Sequence, residues 1–414
     1  MKVREIEERS RIVFSKRSCP TRDRGRWAVR LLWLGAACSG AVMAYFLVFG
    51  SVGSDAKDYL SALHGSSLLP YSPLFMIPAA GVAKVLPLWL VITFFGIAYV
   101  LGWLTQLWVG MQCATPEERR ILRYVAPVIA FFPGLLISDS IATGNIAYIL
   151  YGMVLAGAAM GWKRGSWKWF YLAVLAASCV KVQMLTMLAI PLLCGRRQWM
   201  RTLATSTIGL SLYALQSLIW PQAFHLYLNT LTIMAQSKHE FGCGPAGNLA
   251  RILQGFGLPY EVPCVLFYAC YAIALFLLLL WLSHLYREQR VCFESWAPVM
   301  LVGVILLNPR ILCYDAAAVS LPLAILVWRA LHEDGRSPRR VVLIGAGIAW
   351  FTLNVLVEVN EDFVTIFPYA WRYLEMLLML GIFAGGVRQV LKEAGIEPST
   401  MESYAAESEM ASFD

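Results

Sequence analysis

Apolar runs of roughly 20 residues, each closed by a short polar stretch, recur along the whole chain, and runs of that length read as membrane-spanning helices. They predict spans at about 31–50, 86–111, 124–141, 145–161, 202–220, 263–283, 293–307, 316–331, 341–357 and 371–387. Two stretches depart from the pattern. Residues 74–85 are apolar but short and broken by Pro78, which suits a re-entrant or interfacial segment. Residues 169–194 are apolar but carry Lys181 at their centre, with basic flanks on both sides, WKRGSWK before and GRRQWMR after. A single span would put one basic flank on the opposite side, and the stretch is too short for two full spans. Two half-helices that dip in and return, with Lys181 at the turn, satisfy both constraints. An ionisable residue at that depth is costly and marks a functional or wet site.

Composition agrees. The chain of 414 residues is 59% hydrophobic and only 14% charged, where soluble domains carry about 25% charged residues. Its mean hydropathy is +0.61. The expected fold class is therefore an all-α polytopic membrane protein. The net charge of +8 invites a nucleic-acid reading, but the basic residues sit in short loops between spans. The positive-inside bias explains them, and no nucleic-acid partner is expected. On this topology only Lys57, Lys84, Lys181, Lys238, Arg251, Arg310 and Arg372 of the 34 Lys and Arg face outward or lie at the outer mouth, leaving 27 inside. Both termini are thus expected in the cytoplasm of a multi-pass protein of the inner (plasma) membrane. Residues 1–30 hold ten Lys/Arg and no apolar core before Trp27, so they read as a basic cytoplasmic tail. The first span then stays as a signal anchor, and the tail rests on anionic membrane lipids. Residues 31–390 form the transmembrane domain, and 391–414 a polar cytoplasmic tail. The ten cysteines show no CxxC or Cys/His metal spacing, so no metal site and no cofactor are expected. Residues 221–262 are expected to be the longest outer loop, and whether Cys243 and Cys264, both near it, form a disulfide stays open.

Candidate chemistry lies on the outer side. The polar segment 50–78 carries Asp55, Lys57, Asp58, Tyr59 and His64. Ser54 or Asp55 can cap a short helix there, Gly65 can stop it, and a Tyr71-Ser72-Pro73 turn follows. Asp139 and Gly144-Asn145 follow the third span. His225, Lys238, His239, Glu240 and Asn248 lie in the long loop, and Arg310, Tyr314 and Asp315 follow the span at 293–307. Loops opening on one side would build an outward-facing cavity with one or two carboxylates, several cations and many aromatics. Such a cavity suits transfer from a phosphate-bearing lipid. A carboxylate takes the proton from an attacking hydroxyl, cations neutralise charge on the leaving phosphate, and aromatics face sugar rings and prenyl chains. Each residue also has a plainer reading. Asp55 serves as an N-cap, Asp58 is solvated or pairs with Lys57, and Lys181 snorkels from a helix end. Arg310 anchors at the interface, Asp315 caps the next span, and Arg372 with Glu375 forms an i,i+3 pair.

These residues resemble the motifs of glycosyltransferase family 87, the polyprenyl-phosphate-mannose-dependent mannosyltransferases of GT-C fold. The family's Gly-x-Asp-(apolar)-x-x-Tyr motif after the first span is similar to Gly53-Ser54-Asp55-Ala56-Lys57-Asp58-Tyr59. Its Tyr-x-Pro turn resembles Tyr71-Ser72-Pro73-Leu74, and its Gly-Gln/Asn element Gly144-Asn145. Lys181 matches a lysine that ends a small-residue helix, and Asn248-Leu249-Ala250 loosely matches an Asn-x-Ser element. Asn308-Pro309-Arg310, with Tyr314 and Asp315 close behind, matches a Ser/Asn-Pro element. Val182 stands where the family often has proline, and Tyr314 where some members place histidine. The resemblance covers roughly residues 30–390 and implies a GT-C-like bundle of about 10–12 transmembrane helices whose outward-facing loops form the active site. It implies an inverting transferase that moves a sugar, mannose or another hexose or pentose, from a polyprenyl-phosphate donor to a lipid or glycan hydroxyl outside the cytoplasm. Asp55 would be the catalytic base, and Asp58, Tyr59, Tyr71, Asn145, Lys181, Asn248, Arg310, Tyr314 and Asp315 would bind substrate. Two rival readings share the topology. One is a transporter or flippase of an amphiphilic or lipid-linked substrate, and the other is a lipid-linked polysaccharide ligase.

Overall fold

The computed structural model describes residues 58–59, 71–120, 122, 144–195, 198–236, 242–332 and 370–396. Among them every regular element is helical. Helix α1 (Pro73–Val85) and helix α2 (Leu88–Gln112) are separated by an extended Leu86-Pro87 link, because a residue before proline is pushed out of the helical region. Next come α3 (Ala147–Arg164), α4 (Lys168–Ser178), a 3-10 turn (Val182–Leu188) and α5 (Ala189–Cys194). They are followed by α6 (Trp199–Ile219), α7 (Pro221–Gln236), α8 (Pro245–Gly255), α9 (Glu261–Arg287) and α10 (Phe293–Leu306). The last are α11 (Cys313–Ala316), α12 (Ser320–His332) and α13 (Ala370–Glu393). Three of these begin at a proline, whose fixed φ and missing N–H suit the first helical turn. Helix α3 stops at Gly165, which takes the left-handed conformation with φ +69°.

Four stretches are long and apolar enough to cross a membrane: Leu88–Gln112, Trp199–Ile219, Glu261–Arg287 and Tyr314–Leu331. The first three are mostly exposed, and they present Trp89, Phe94, Leu101, Leu203, Leu210, Val265 and Leu277 outward. Apolar surface on that scale needs a cover other than water. The fourth is largely buried. It forms the core with α10, whose residues from Trp296 to Leu306 are buried throughout, and with α13 and α3 around them. These features agree with the expected polytopic all-α class. The spans expected at 31–50, 124–141 and 341–357 lie outside the described residues, as do the Arg372 and Glu375 side chains.

Helices α2 and α3 cross where Gly102 meets Gly152. A Cβ on either would run into the other helix's backbone, the close approach that small residues permit between membrane helices. Beside the crossing, Gln106 Nε2 donates to Tyr148 O at 2.8 Å.

The loops sort to two ends of the bundle. At one end Glu118 pairs with Arg329, whose Nη1 donates to Glu294 O at 2.8 Å. Trp162 meets Phe293 edge-on and donates to Cys194 Sγ, while Cys292 N donates to Glu393 Oε1. These are loops expected to face the cytoplasm from their charge. At the opposite end gather Tyr59, Tyr71, Asn145, Gln216, Cys243 and Ile311, on loops expected to face outward.

The segment with Lys181 at its centre dips and returns. Tyr171 in α4 bonds Gln198 Oε1 at 3.1 Å and Thr202 Oγ1 at 3.2 Å, and Trp162 meets Cys194, so entry and exit adjoin at the basic end. The 11 residues of α4 rise about 16 Å, roughly half a hydrocarbon core.

Two expectations need correction. Residues 74–85 form one helix that runs through Pro78. The segment 221–262 is two helices and not a long loop. Helix α7 folds back on α6 through Tyr213, Phe224 and Tyr227. Helix α8 is amphipathic: it buries Gly247, Asn248, Ala250 and Arg251 and exposes Ile252. Its polar residues lower the average hydropathy of the window, but their 3.6-residue period is helical. Helix α13 also runs beyond the expected span end, to Glu393.

Candidate functional site

Lys181 sits where helix α4 has ended and the 3-10 turn has not yet begun. Its backbone is extended (φ −132°, ψ 105°), its N–H still closes on Ala177 O at 2.9 Å, and its carbonyl accepts Met184 N at 3.0 Å. The side chain is buried, 7% exposed. Its Nζ lies 4.2 Å from the centroid of the Tyr314 ring and 5.6 Å from that of Tyr71. An ammonium over aromatic faces is held by their negative quadrupole.

The Tyr71-Ser72-Pro73 turn is fastened to the same break, because Ser72 Oγ donates to Cys179 O. Past it, Leu74 N donates to Gln216 Oε1 at 3.0 Å, which ties the start of α1 to α6. The Tyr71 hydroxyl pairs with that of Tyr59 at 2.9 Å, and Tyr59 Oη accepts Ile146 N at 3.3 Å. Asn145 is buried and its Oδ1 accepts Ala147 N at 2.9 Å, so it opens α3 beside the tyrosine pair.

Asp315 lies across from this group in the first turn of α11 and is fully buried. A buried carboxylate needs donors on its oxygens. Here Oδ1 accepts the Tyr151 hydroxyl at 3.0 Å, and Oδ2 accepts Leu312 N at 2.9 Å. Tyr151 Oη in turn accepts Asn308 Nδ2 at 3.4 Å, and Asn308 Oδ1 accepts Arg310 N at 3.1 Å. Among the described residues, Lys181 and Arg310 both place positive charge near Asp315.

Helix α8 docks on this loop by its head. Cys243 N donates to Ile311 O at 2.7 Å. Gly242, at φ +72°, lies against the same carbonyl, where a Cβ has no room. Asn248 bridges within the head: Nδ2 donates to Cys243 O at 3.2 Å, and Oδ1 accepts Arg251 Nη1 at 2.7 Å. Arg251 also donates to Gly242 O.

Tyr59, Tyr71, Asn145, Lys181, Arg310, Tyr314 and Asp315, expected from sequence, thus belong to one connected, mostly buried cluster. Asn248 supports it from α8. Asp58 is exposed. Asp55 lies outside the described residues. Sequence reasoning missed Tyr151, Ser72 and Gln216. A tyrosine within the apolar run AYILYGMVL is a usable signal, since its hydroxyl must find a partner there. Among the described residues no three His, Cys, Asp or Glu side chains are grouped to hold a metal ion.

No protein-family model matches the chain, and no curated protein does.

Proposed function

We propose that this chain is a membrane glycosyltransferase that takes a sugar from a polyprenyl-phosphate donor and passes it to a lipid or glycan hydroxyl on the extracytoplasmic side. The observation that carries the reading is the buried ammonium of Lys181. It sits at the turn of a half-membrane excursion, cupped by Tyr314 and Tyr71, with Arg310 near the same carboxylate. A phosphate headed by a sugar and tailed by a prenyl chain fits such a place. The headgroup meets cations and aromatic rings at one end of the bundle, while apolar helices face the bilayer alongside.

In this reaction the Asp55 carboxylate takes the acceptor's O–H proton. The acceptor oxygen forms a bond to the sugar C1 from the face opposite the phosphate. The C1–O(phosphate) bond breaks, and polyprenyl phosphate leaves with the electron pair. Lys181 and Arg310 neutralise the oxygen that carries the new charge. A β-linked donor then gives an α-linked product. The loops of the site end face outward, the basic end faces the cytoplasm, and both termini are cytoplasmic, in keeping with the excess of Lys and Arg. The fold is a GT-C-like bundle.

The test is transfer from labelled polyprenyl-phosphate sugars by the purified protein, wild type beside Asp55→Asn and Lys181→Gln. Transfer by the wild type that both variants lose supports the reading. A folded wild type that consumes no donor but moves lipid-linked sugar across liposomes overturns it in favour of transport, for which the broken excursion is also suited.

A further inference from the structure

Helix α8 is built inside out. A helix on a water-facing surface buries its apolar stripe and turns polar side chains outward. In α8 the polar side chains of Asn248 and Arg251 are buried and bonded into the helix head, to Cys243 O and Gly242 O, while Ile252 is 43% exposed. The helix stops in a Schellman turn. Gly257 takes φ +68°, its N–H donates to Gln254 O at 3.1 Å, and Leu258 N donates to Leu253 O at 2.9 Å. That turn presents two more apolar side chains outward, Phe256 at 78% exposed and Leu258 at 51%. Four positions after Leu258 the apolar run of α9 begins. No charged residue stands between Glu261 and His284, and Val262, Val265 and Leu266 at the start of the run are exposed. The run Val262–Leu282 rises about 32 Å, the thickness of a hydrocarbon core, so its first residues fall at the rim of that core.

We propose that α8 and the turn behind it lie in the membrane interface on the site's side of the bundle, with Ile252, Phe256 and Leu258 inserted at the boundary of phospholipid headgroups and acyl chains. The occupant of this face is phospholipid, and continuity with α9 argues for it. The exposed apolar side chains run on without a break from the turn into a helix whose own apolar surface needs a cover other than water. An apolar surround also accounts for the inversion, since Asn248 and Arg251 must then turn toward the protein for their partners. The placement bears on the site because Cys243 N donates to Ile311 O at 2.7 Å. A helix α8 held at the leaflet surface holds the neighbouring Arg310 loop at a fixed depth. The inference rests on α9 crossing a bilayer and not on sugar transfer.

The experiment is photolabelling of the full-length wild-type protein in vesicles of phosphatidylethanolamine and phosphatidylglycerol. The vesicles carry a phospholipid with a diazirine either next to its headgroup or at the end of an acyl chain. Mass spectrometry reads the adducts on the peptides that hold residues 252–258 and, from the middle of α9 where Ile273 is exposed, residues 268–276. The ratio of headgroup-proximal to chain-end label is expected to lie above one at 252–258 and below one at 268–276. A p-benzoylphenylalanine placed at Phe256 is expected to cross-link to lipid. Cross-links from that position to a second copy of the chain, or to another part of the same chain, assign the face to protein and overturn the inference. A ratio at 252–258 equal to that at 268–276 overturns it as well, since the turn then lies as deep as the middle of the span. Lipid label at 268–276 with none at 252–258 overturns this inference alone. If neither peptide takes lipid label, the membrane reading of α9 fails and this inference fails with it.

Discussion

The Lys181 ammonium lies 4.2 Å from the ring centroid of Tyr314, although the two residues stand 133 positions apart in the chain. The contact joins the turn of the re-entrant excursion to the loop that opens the most buried span. Ring contacts of this kind contribute about 0.5–2 kcal/mol, whereas a charge-assisted hydrogen bond to phosphate contributes about 1.5–3 kcal/mol. The order of effects follows. Lys181→Gln should lower kcat/KM for the lipid donor by about ten- to hundredfold. Tyr314→Leu should cost about two- to thirtyfold, and Tyr314→Phe, which keeps the ring, less than Tyr314→Leu. Initial rates against donor concentration decide it; a Tyr314→Leu loss larger than that of Lys181→Gln would sink the assignment.

Much of this arrangement was legible in the chain. The apolar runs located α2, α3, α6, α9 and α10 within a few residues of their observed bounds, since burial in an apolar medium is written in composition alone. Two basic flanks around one lysine required a reversal, and Tyr171 and Gln198 do meet. The rest lay in relationships that local pattern does not carry. Tyr151 and Asp315 are 164 positions apart, and nothing in either neighbourhood names the other. Helices α7 and α8 were hidden because a window average scores hydropathy and discards its period. The role expected of Asp55 concerns a residue outside the described part of the chain.

The α2–α3 crossing makes a prediction about packing. A Cβ at Gly152 would meet the backbone of Gly102, and backbone cannot rotate away as a side chain can. Overpacking of this kind costs about 1–3 kcal/mol, so Gly152→Ala should lower the thermal midpoint in detergent, and Gly152→Leu should lower the yield of folded protein. Gly96, on the same helix α2, has nothing within 4 Å of its missing Cβ. Gly96→Ala should be neutral or stabilising by up to about 1 kcal/mol, the helix-propensity gain. Equal effects at the two glycines would show that the helices do not cross here.

Cys243 and Cys264 are not joined in a disulfide. Cys243 stands just ahead of helix α8 and Cys264 beyond it in the first turn of α9, and a disulfide needs Cβ atoms about 4 Å apart. Maleimide labelling of the denatured protein, prepared with and without prior reductant and read on the peptides that carry Cys243 and Cys264, should therefore modify both to the same extent. Labelling of both that appears only after reduction would contradict the placement of the two cysteines.

At the opposite end of the bundle, Glu118 and Arg329 form a two-pronged pair, Nε to Oε1 at 3.0 Å and Nη2 to Oε2 at 2.9 Å. The Glu118 side chain is 2% exposed and that of Arg329 15%. Glu118 also accepts Thr115 N at 2.8 Å, and its own N–H reaches Thr115 Oγ1 at 3.3 Å, which makes a reciprocal capping box. The carboxylate thus serves a helix start and the end of α12 together. Removing only the cation takes the two-pronged partner from a buried carboxylate, which costs about 3–5 kcal/mol. Arg329→Met alone should therefore destabilise strongly. Removing both charges, Glu118→Gln with Arg329→Met, should recover part of that loss, because the desolvation penalty disappears with the charge. Donor binding at the far end should be unchanged in whatever fraction stays folded. Thermal unfolding of the two single variants and the double variant checks this: simple additivity would mean that the pair, for all its geometry, is not coupled.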